Sequence, residues 1–254
     1  MSWAARRRFI ILLIIGAVIT AFLTVIGIAT FYKEPSCSDG VRNQDETGID
    51  CGGSCNYLCI EQQNPPTVLF TKVIQNVNER VDVIAEVENK NAVAAAKNVP
   101  YKITLYGSDQ FLIQEITGTV DLPPRTIVPI FFPGISSGKQ IATRAFLEID
   151  YSSIKWFSMQ SDLRILPNVS NLSQTGTTSS PRIEAVLTNS SVNILTNVKA
   201  IVLVHNEKGD VIAASSTIVP YIPAQGKATA VFTWNYEFPS TPASIEIIPI
   251  VSLP

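Results

Sequence analysis

Arg80-Val81-Asp82-Val83-Ile84-Ala85-Glu86-Val87-Glu88-Asn89 is the stretch that decides the fold. Val81, Val83, Ala85 and Val87 fall on one side, and Arg80, Asp82, Glu86 and Glu88 on the other. A period of two with β-branched residues on one face is the pattern of a half-buried strand, with the polar side expected to face solvent. Val99, Tyr101, Ile103 and Leu105 share a face in the same way. Further strands are expected near 67–75, 111–120, 127–132 and 142–150, punctuated by Pro123-Pro124 and Pro133-Gly134. Beyond residue 32 no stretch carries a helical apolar stripe.

The pattern then recurs about 100 residues later. Ala85-x-Val87-x-Asn89 falls on Ala185-x-Leu187-x-Asn189, Leu122-Pro123 on Ile222-Pro223, and Ile130-Phe131-Phe132 on Ala230-Val231-Phe232. With one residue of slip, Asn98-Val99 matches Asn197-Val198, and Tyr101, Ile103 and Leu105 match Ala200, Val202 and Val204. A repeat of this length with strand periodicity means two copies of one β-domain. The expectation is a β-sandwich over 67–166 and a second over 168–254, each of about seven short strands and immunoglobulin-like. An open Greek-key barrel is the alternative. The Ser-, Thr- and Asn-rich stretch 167–181 reads as a linker or as the first strand of the second copy.

Ahead of the repeat, residues 9–32 hold no charge and are dense in Ile, Leu, Val, Phe and Ala. At ~1.5 Å per residue such a helix crosses a ~30 Å hydrocarbon core. Arg6, Arg7 and Arg8 precede it, so residues 1–8 are expected in the cytoplasm and the rest of the chain outside. Tyr32 and Lys33 fit an interfacial aromatic and a snorkelling cation. A cleaved signal peptide is the competing reading, but the run exceeds the usual apolar length and Ile28-Ala29-Thr30-Phe31-Tyr32 offers no Ala-x-Ala site. The localisation expected is a single-pass cell-membrane anchor with extracytoplasmic C-terminal domains.

All four cysteines, Cys37, Cys51, Cys55 and Cys59, lie in a collar expected at 33–61. Outside the membrane they read as two disulfides, with three pairings open. The spacing lacks the paired CxxC of a zinc site. Asp39, Asn43, Asp45, Glu46 and Asp50 place five oxygen-bearing side chains between the first two cysteines. Calcium takes six to eight oxygen ligands from such turn-rich loops, so Ca2+ is one reading. The EF-hand spacing is absent, and the other reading makes these residues turn formers and caps.

Cys37, Asp39, Gly40, Asn43, Glu46, Asp50, Cys51, Gly52, Gly53, Cys55 and Cys59 together give C-x-D-G-x-x-N-x-x-E-x-x-x-D-C-G-G-x-C followed by a further Cys. This resembles a small Cys-rich module of secreted and surface proteins of bacteria, and implies an exported, surface-located, non-catalytic protein. The repeat carries a second resemblance. Val87-x-Asn89, Lys97-Asn98-Val99, Ile103-Thr104-Leu105-Tyr106-Gly107 and Leu122-Pro123-Pro124 have counterparts in Leu187-x-Asn189, Thr196-Asn197-Val198, Val202-Leu203-Val204-His205 and Ile222-Pro223. The unit is similar to sandwich modules of the FxLYD and CARDB kind. Copy one has Gly107 where that motif has Asp and Ile103 where it has Phe, and copy two lacks the Leu-Tyr pair. The resemblance implies an adhesion, display or assembly module.

Catalytic chemistry has few tools here. His205 is the only histidine, at an expected strand end, and no P-loop, G-x-G-x-x-G or H-E-x-x-H occurs. A net charge of −2 gives no basic field for nucleic acid. Asn168, Asn171 and Asn189 open N-x-S sequons. The fold expected is mainly β, with one N-terminal transmembrane α-helix, a small disulfide-rich segment and two tandem sandwiches. The function expected is non-catalytic: a membrane-anchored protein whose sandwiches contact another envelope or surface protein or a glycan. The alternative is a structural subunit of an envelope or secretion assembly that packs through its helix at Gly16, Ala17, Ala21, Gly27 and Ala29.

Overall fold

The computed structural model describes residues 3–31, 36–43, 45–77, 79–138 and 140–254. The expected interfacial pair Tyr32 and Lys33 lies outside them. The chain divides into two compact units, Met1–Cys55 and Asn56–Pro254.

The first unit begins with helix α1, Trp3–Phe31. Its segment Arg6–Thr30 is long and apolar enough to cross a membrane, a property that signal sequences share. Within it the hydroxyls of Thr20, Thr24 and Thr30 donate to the carbonyls of Gly16, Thr20 and Ile26. That back-bonding removes the cost of a bare hydroxyl in an apolar solvent.

The second unit is all β apart from two single 3-10 turns. Its strands are β1 Thr67–Gln75, β2 Arg80–Asn89, β3 Ala94–Gly107, β4 Leu112–Leu122, β5 Thr126–Ser136, β6 Ala142–Ile149 and β7 Trp156–Ser158. The second copy follows with β8 Asn168–Thr177, β9 Ser180–Thr188, β10 Leu195–His205, β11 Val211–Ile222, β12 Lys227–Thr233 and β13 Ser244–Ile250. Every paired ladder is antiparallel. The sheets of copy one are β1-β2-β5 and β4-β3-β6, with β7 also on β3; those of copy two are β8-β9-β12 and β11-β10-β13. The two copies share one six-strand topology, and the short β7 brings copy one to the expected seven strands, whereas copy two has six among the described residues. The stretch that could be a linker is strand β8.

Each copy has its own core. Val81, Val83, Ala85 and Val87 meet Ile103, Leu105, Leu122 and Trp156 in the first; Ile183, Ala185 and Leu187 meet Val202, Val204, Phe232 and Trp234 in the second. A third cluster joins them. Ile74, Ile84 and Phe131, from the outer face of β1-β2-β5, pack on Ile201, Leu203, Val211 and Ala214 from the outer face of β10-β11. The four sheets therefore stack as four layers. β2 and β10 are buried on both faces, and the side of β2 expected to face solvent is the seam between sandwiches: Asp82 and Ile84 are 4% and 0% exposed.

The repeat is visible at single residues. Asn89, fully buried, ends β2. Its Nδ2 donates to Ala94 O (2.8 Å), Leu122 O (3.2 Å) and Pro123 O (2.8 Å), and its Oδ1 accepts from Asn91 N (3.0 Å). Asn189 does the same in copy two, donating to Asn193 O (2.7 Å) and Pro223 O (2.9 Å) and accepting from Ser191 N (3.0 Å). Each asparagine ties the β2–β3 type of turn to the Leu-Pro or Ile-Pro corner. The left-handed residues Asn98 and Asn197 (φ 51° each), and Arg125 and Gln225 (φ 53° and 50°), also coincide. Asparagine tolerates that conformation better than most side chains.

Candidate functional site

The collar residues come first. Cys37 and Cys55 form a disulfide, which removes two of the three pairings left open by spacing. Cys51 and Cys59 are also disulfide-bonded, and no cysteine is free. Gly52 and Gly53 sit at φ 76° and 58°, where an added Cβ would collide with Thr47 and Asp45. The Cys-Gly-Gly run is thus fixed by close backbone approach.

The five oxygen-bearing residues divide by what they hold. Asp50 accepts from Asp39 N (3.0 Å) and Gly40 N (3.0 Å). Asp39 accepts from Val41 N (2.9 Å), Ser36 N (3.1 Å) and Asn43 Nδ2 (2.9 Å). Glu46, 6% exposed, accepts from Asn43 N (3.3 Å). These four residues form one network. Asp45 stands apart on Ser54 Oγ (2.8 Å), and that hydrogen bond holds its carboxyl below the usual range. The carboxylates therefore do the work of turn caps. One oxygen fits an added donor or cation: Asn43 Oδ1 is buried and has no partner among the described residues. Glu46 also lies within metal-ligand reach of the sulfurs of Cys37 and Cys55, but those sulfurs are spent in the disulfide.

Of the clefts lined by both sandwiches, two hold the buried titratable groups of the seam. The first, about 240 Å³, is lined by Tyr101, Asp121, Arg164 and Lys199 among others. Arg164 is held by Asp162 (2.7 Å) and donates to Val251 O (3.3 Å); Asp121 accepts from Asn98 N (2.9 Å) and Leu253 N (3.0 Å). Burial lowers the pKa of Lys199 and pushes Tyr101 up to about 12. The second cleft, about 560 Å³, is lined by Asn76, Arg80, Asp82, Ser215, Asn235 and Tyr236 among others. Asp82 accepts from Gly134 N (2.7 Å) and Asn76 Nδ2 (3.2 Å). Burial raises its pKa against those two hydrogen bonds.

His205 ends β10, as expected. Its Nδ1 lies 3.2 Å from Gly209 O and its Nε2 3.9 Å from Glu246 Oε2. Glu86 faces the same seam: burial raises its pKa, Glu246 adds to the rise, and His205 opposes it. Asn168 and Asn171 are exposed on β8, whereas Asn189 is 1% exposed and spent in its corner, which closes that sequon in the folded chain. The seam residues were missed by alternation alone. Ile84 among the polar residues of β2, and Ile201 and Leu203 between the inward residues of β10, were the available signal.

No protein-family model matches the chain, and no characterised protein matches it in sequence. Among solved structures it is similar to a red sea bream transglutaminase at 12% identity, over 72% of this chain and 29% of that one, with a TM-score of 0.24. A β-glucuronidase of glycoside hydrolase family 2 aligns at 10% identity over 83% and 26%, TM-score 0.21. An exo-chitosanase of Amycolatopsis orientalis aligns at 12% over 71% and 26%, TM-score 0.18. The chain spans less than a third of the length of each of these enzymes, and likenesses this weak carry no argument about activity.

Proposed function

We propose that this chain is a non-catalytic, membrane-anchored binding or display protein whose paired sandwiches meet a partner outside the membrane. The observation that carries the reading is the third apolar cluster. It fuses two sandwiches, read as immunoglobulin-like, into one unit that presents loops and faces in fixed relation. Rigid presentation lowers the entropy lost on binding. The apolar α1 and the fully oxidised cysteines support an N-in topology with residues after 36 in an oxidising compartment. Binding would be positional: the helix tethers, the disulfide-held collar spaces, and the sandwiches make the contact. The resemblance to surface modules and to FxLYD- and CARDB-like domains points the same way.

Two measurements test this. Protease added to intact cells should digest residues 56–254 and spare the N-terminal residues; protection of the sandwiches would overturn the topology. Scrambling residues 9–32 with their hydrophobicity kept should leave photo-crosslinks from exposed Phe146 unchanged. Loss of those crosslinks would instead favour an assembly subunit that packs through its helix. One feature of α1 supports that second reading: among the described residues nothing outside the local helix backbone lies within 4 Å of a Cβ added at Gly16 or Gly27, so both are open to a neighbouring helix.

A further inference from the structure

The larger seam cleft holds two polar groups that the fold leaves incompletely used, one from each sandwich. Asp82 of β2 is 4% exposed and carries a carboxylate with no cationic partner among the described residues. Its acceptors take two donor groups, Gly134 N and the Asn76 amide, which leaves lone pairs over. Tyr236, just beyond β12, has a buried hydroxyl with no hydrogen-bond partner among the described residues. The two residues line one cleft and sense each other, since Asp82 adds to the upward shift that burial imposes on the Tyr236 phenol. A buried donor without an acceptor is a cost that native structures retain where something else supplies the bond.

We infer that this cleft is a binding site for a neutral, polyhydroxylated ligand, a glycan segment, held between Asp82 and Tyr236. The inference rests on the reading of the chain as a binding protein and names the site and the ligand class. The walls select the chemistry. The polar part of the wall has one carboxylate, Asp82, and one guanidinium, Arg80, together with the amides of Asn76 and Asn235 and the hydroxyls of Ser215, Ser216 and Thr233, and it outweighs the apolar part, in which Phe131 and Trp234 are the largest members. Asp82 opposes a phosphate or carboxylate ligand, and Arg80 opposes an ammonium. Amides, hydroxyls and a phenol do not reward an apolar ligand. A sugar hydroxyl both donates and accepts, so one ring can give hydrogen bonds to Asp82 and take them from Tyr236 and the amides. A volume of about 560 Å³ lies within the usual range of small-ligand pockets. Because the walls belong to different sandwiches, the ligand would bridge them.

The test uses the full chain in lipid nanodiscs, since glycoside detergents would compete. Neutral tetrasaccharides of glucose, mannose and N-acetylglucosamine are titrated by calorimetry, with thermal midpoints recorded in parallel. At least one tetrasaccharide should bind. Tyr236→Phe should weaken it at least tenfold while the thermal midpoint holds or rises, because the variant removes an unpartnered hydroxyl and keeps the ring. Asp82→Asn should weaken it similarly. Binding that survives both substitutions would overturn the cleft as the site and leave the glycan reading standing. A midpoint that falls in Tyr236→Phe would show a structural tyrosine–aspartate hydrogen bond and overturn the inference. Failure of every tetrasaccharide would also overturn it, whereas the crosslinking from Phe146 judges the broader reading independently.

Discussion

Replacing Asn89 by Ala should be among the most damaging single changes in the chain. The side chain is fully buried. Its amide has two protons for three carbonyls, and its oxygen accepts from Asn91 N and Asn91 Nδ2. At most about four full hydrogen bonds are lost, at about 1 kcal/mol net each, so the expected cost is ~4 kcal/mol. That is a large share of a domain stability of roughly 5–15 kcal/mol. Asn189→Ala removes the equivalent set, with Ser191 Nα and Oγ in place of the Asn91 donors, and should cost a similar amount. Asn89→Leu fills nearly the same volume and should not rescue, since the loss is polar. The assay is urea unfolding of the full chain by fluorescence. Trp156 sits in the first core and Trp234 in the second, so Trp→Phe backgrounds report each sandwich separately. With the third cluster joining them, Asn89→Ala should lower both midpoints together. A cost below about 1 kcal/mol, against the hydrogen-bond count, would refute the reasoning about the corner. A shift seen only through Trp156 would refute cooperative coupling across the seam.

Other outcomes follow from the same geometry. The Cys37–Cys55 bridge closes a sequence separation of 18, worth ~3 kcal/mol by loop entropy, so the double Ser variant should be cleaved within 37–55 about a hundredfold faster in limited proteolysis. Asp82 has a folded pKa raised by burial. Its contribution is therefore fully present below its unfolded pKa and is lost as pH rises through the folded value. Relative to Asp82→Asn, the native chain should lose stability across that window in urea titrations at stepped pH; a constant difference would contradict the burial argument. Because the collar carboxylates already accept backbone donors, Asp50→Asn should loosen residues 39–40 by amide exchange whether or not calcium is present. Calcium at 1 mM should leave the oxidised native chain unchanged in calorimetry. Heat that disappears with Asp39→Asn and Asp50→Asn would instead make Asn43 Oδ1 part of a cation site.

The strands were legible because alternation and the Pro and Asn punctuation are local properties of the chain. The repeat showed at Asn89 and Asn189 because both do one geometric task that few other side chains perform. The seam was not legible in the same way. A strand buried on both sides differs from a half-buried one only by what occupies its second face, and Asp82, Glu86 and Glu88 on β2 mimic a solvated side. Ile84 alone broke that pattern. The disulfide pairing depends on the path of residues 37–55, which spacing does not determine. The caps of the collar were legible as residue types, but which carboxylate holds which N–H needed the turn itself.

The seam also sets the outer faces of the two copies apart from the faces it joins. It joins unlike faces of the repeat, the β1-β2-β5 sheet of copy one to the β11-β10-β13 sheet of copy two. A contact between unlike faces leaves a free face of each kind at the ends, and so can propagate. The chain blocks this at the equivalent positions. Ile84 on the seam corresponds to Glu184 on the free β9 face, where Glu184 pairs with Arg182. Ile201 corresponds to Lys102 on the outer β3 face, where Lys102 meets Glu115 and Glu148 (3.4 Å each). Surface pairs of this kind add little stability. Their effect is to make a third layer contact desolvate charges that the seam never had to bury. The same divergence frees β8. Its counterpart β1 sends Phe70 and Ile74 into the third cluster, whereas all ten residues of β8 are exposed and its side chains are mostly Asn, Ser and Thr. Two copies of one unit have thus diverged at the faces they share, and the cleft that contains Asp82 and Tyr236 is lined by both of them.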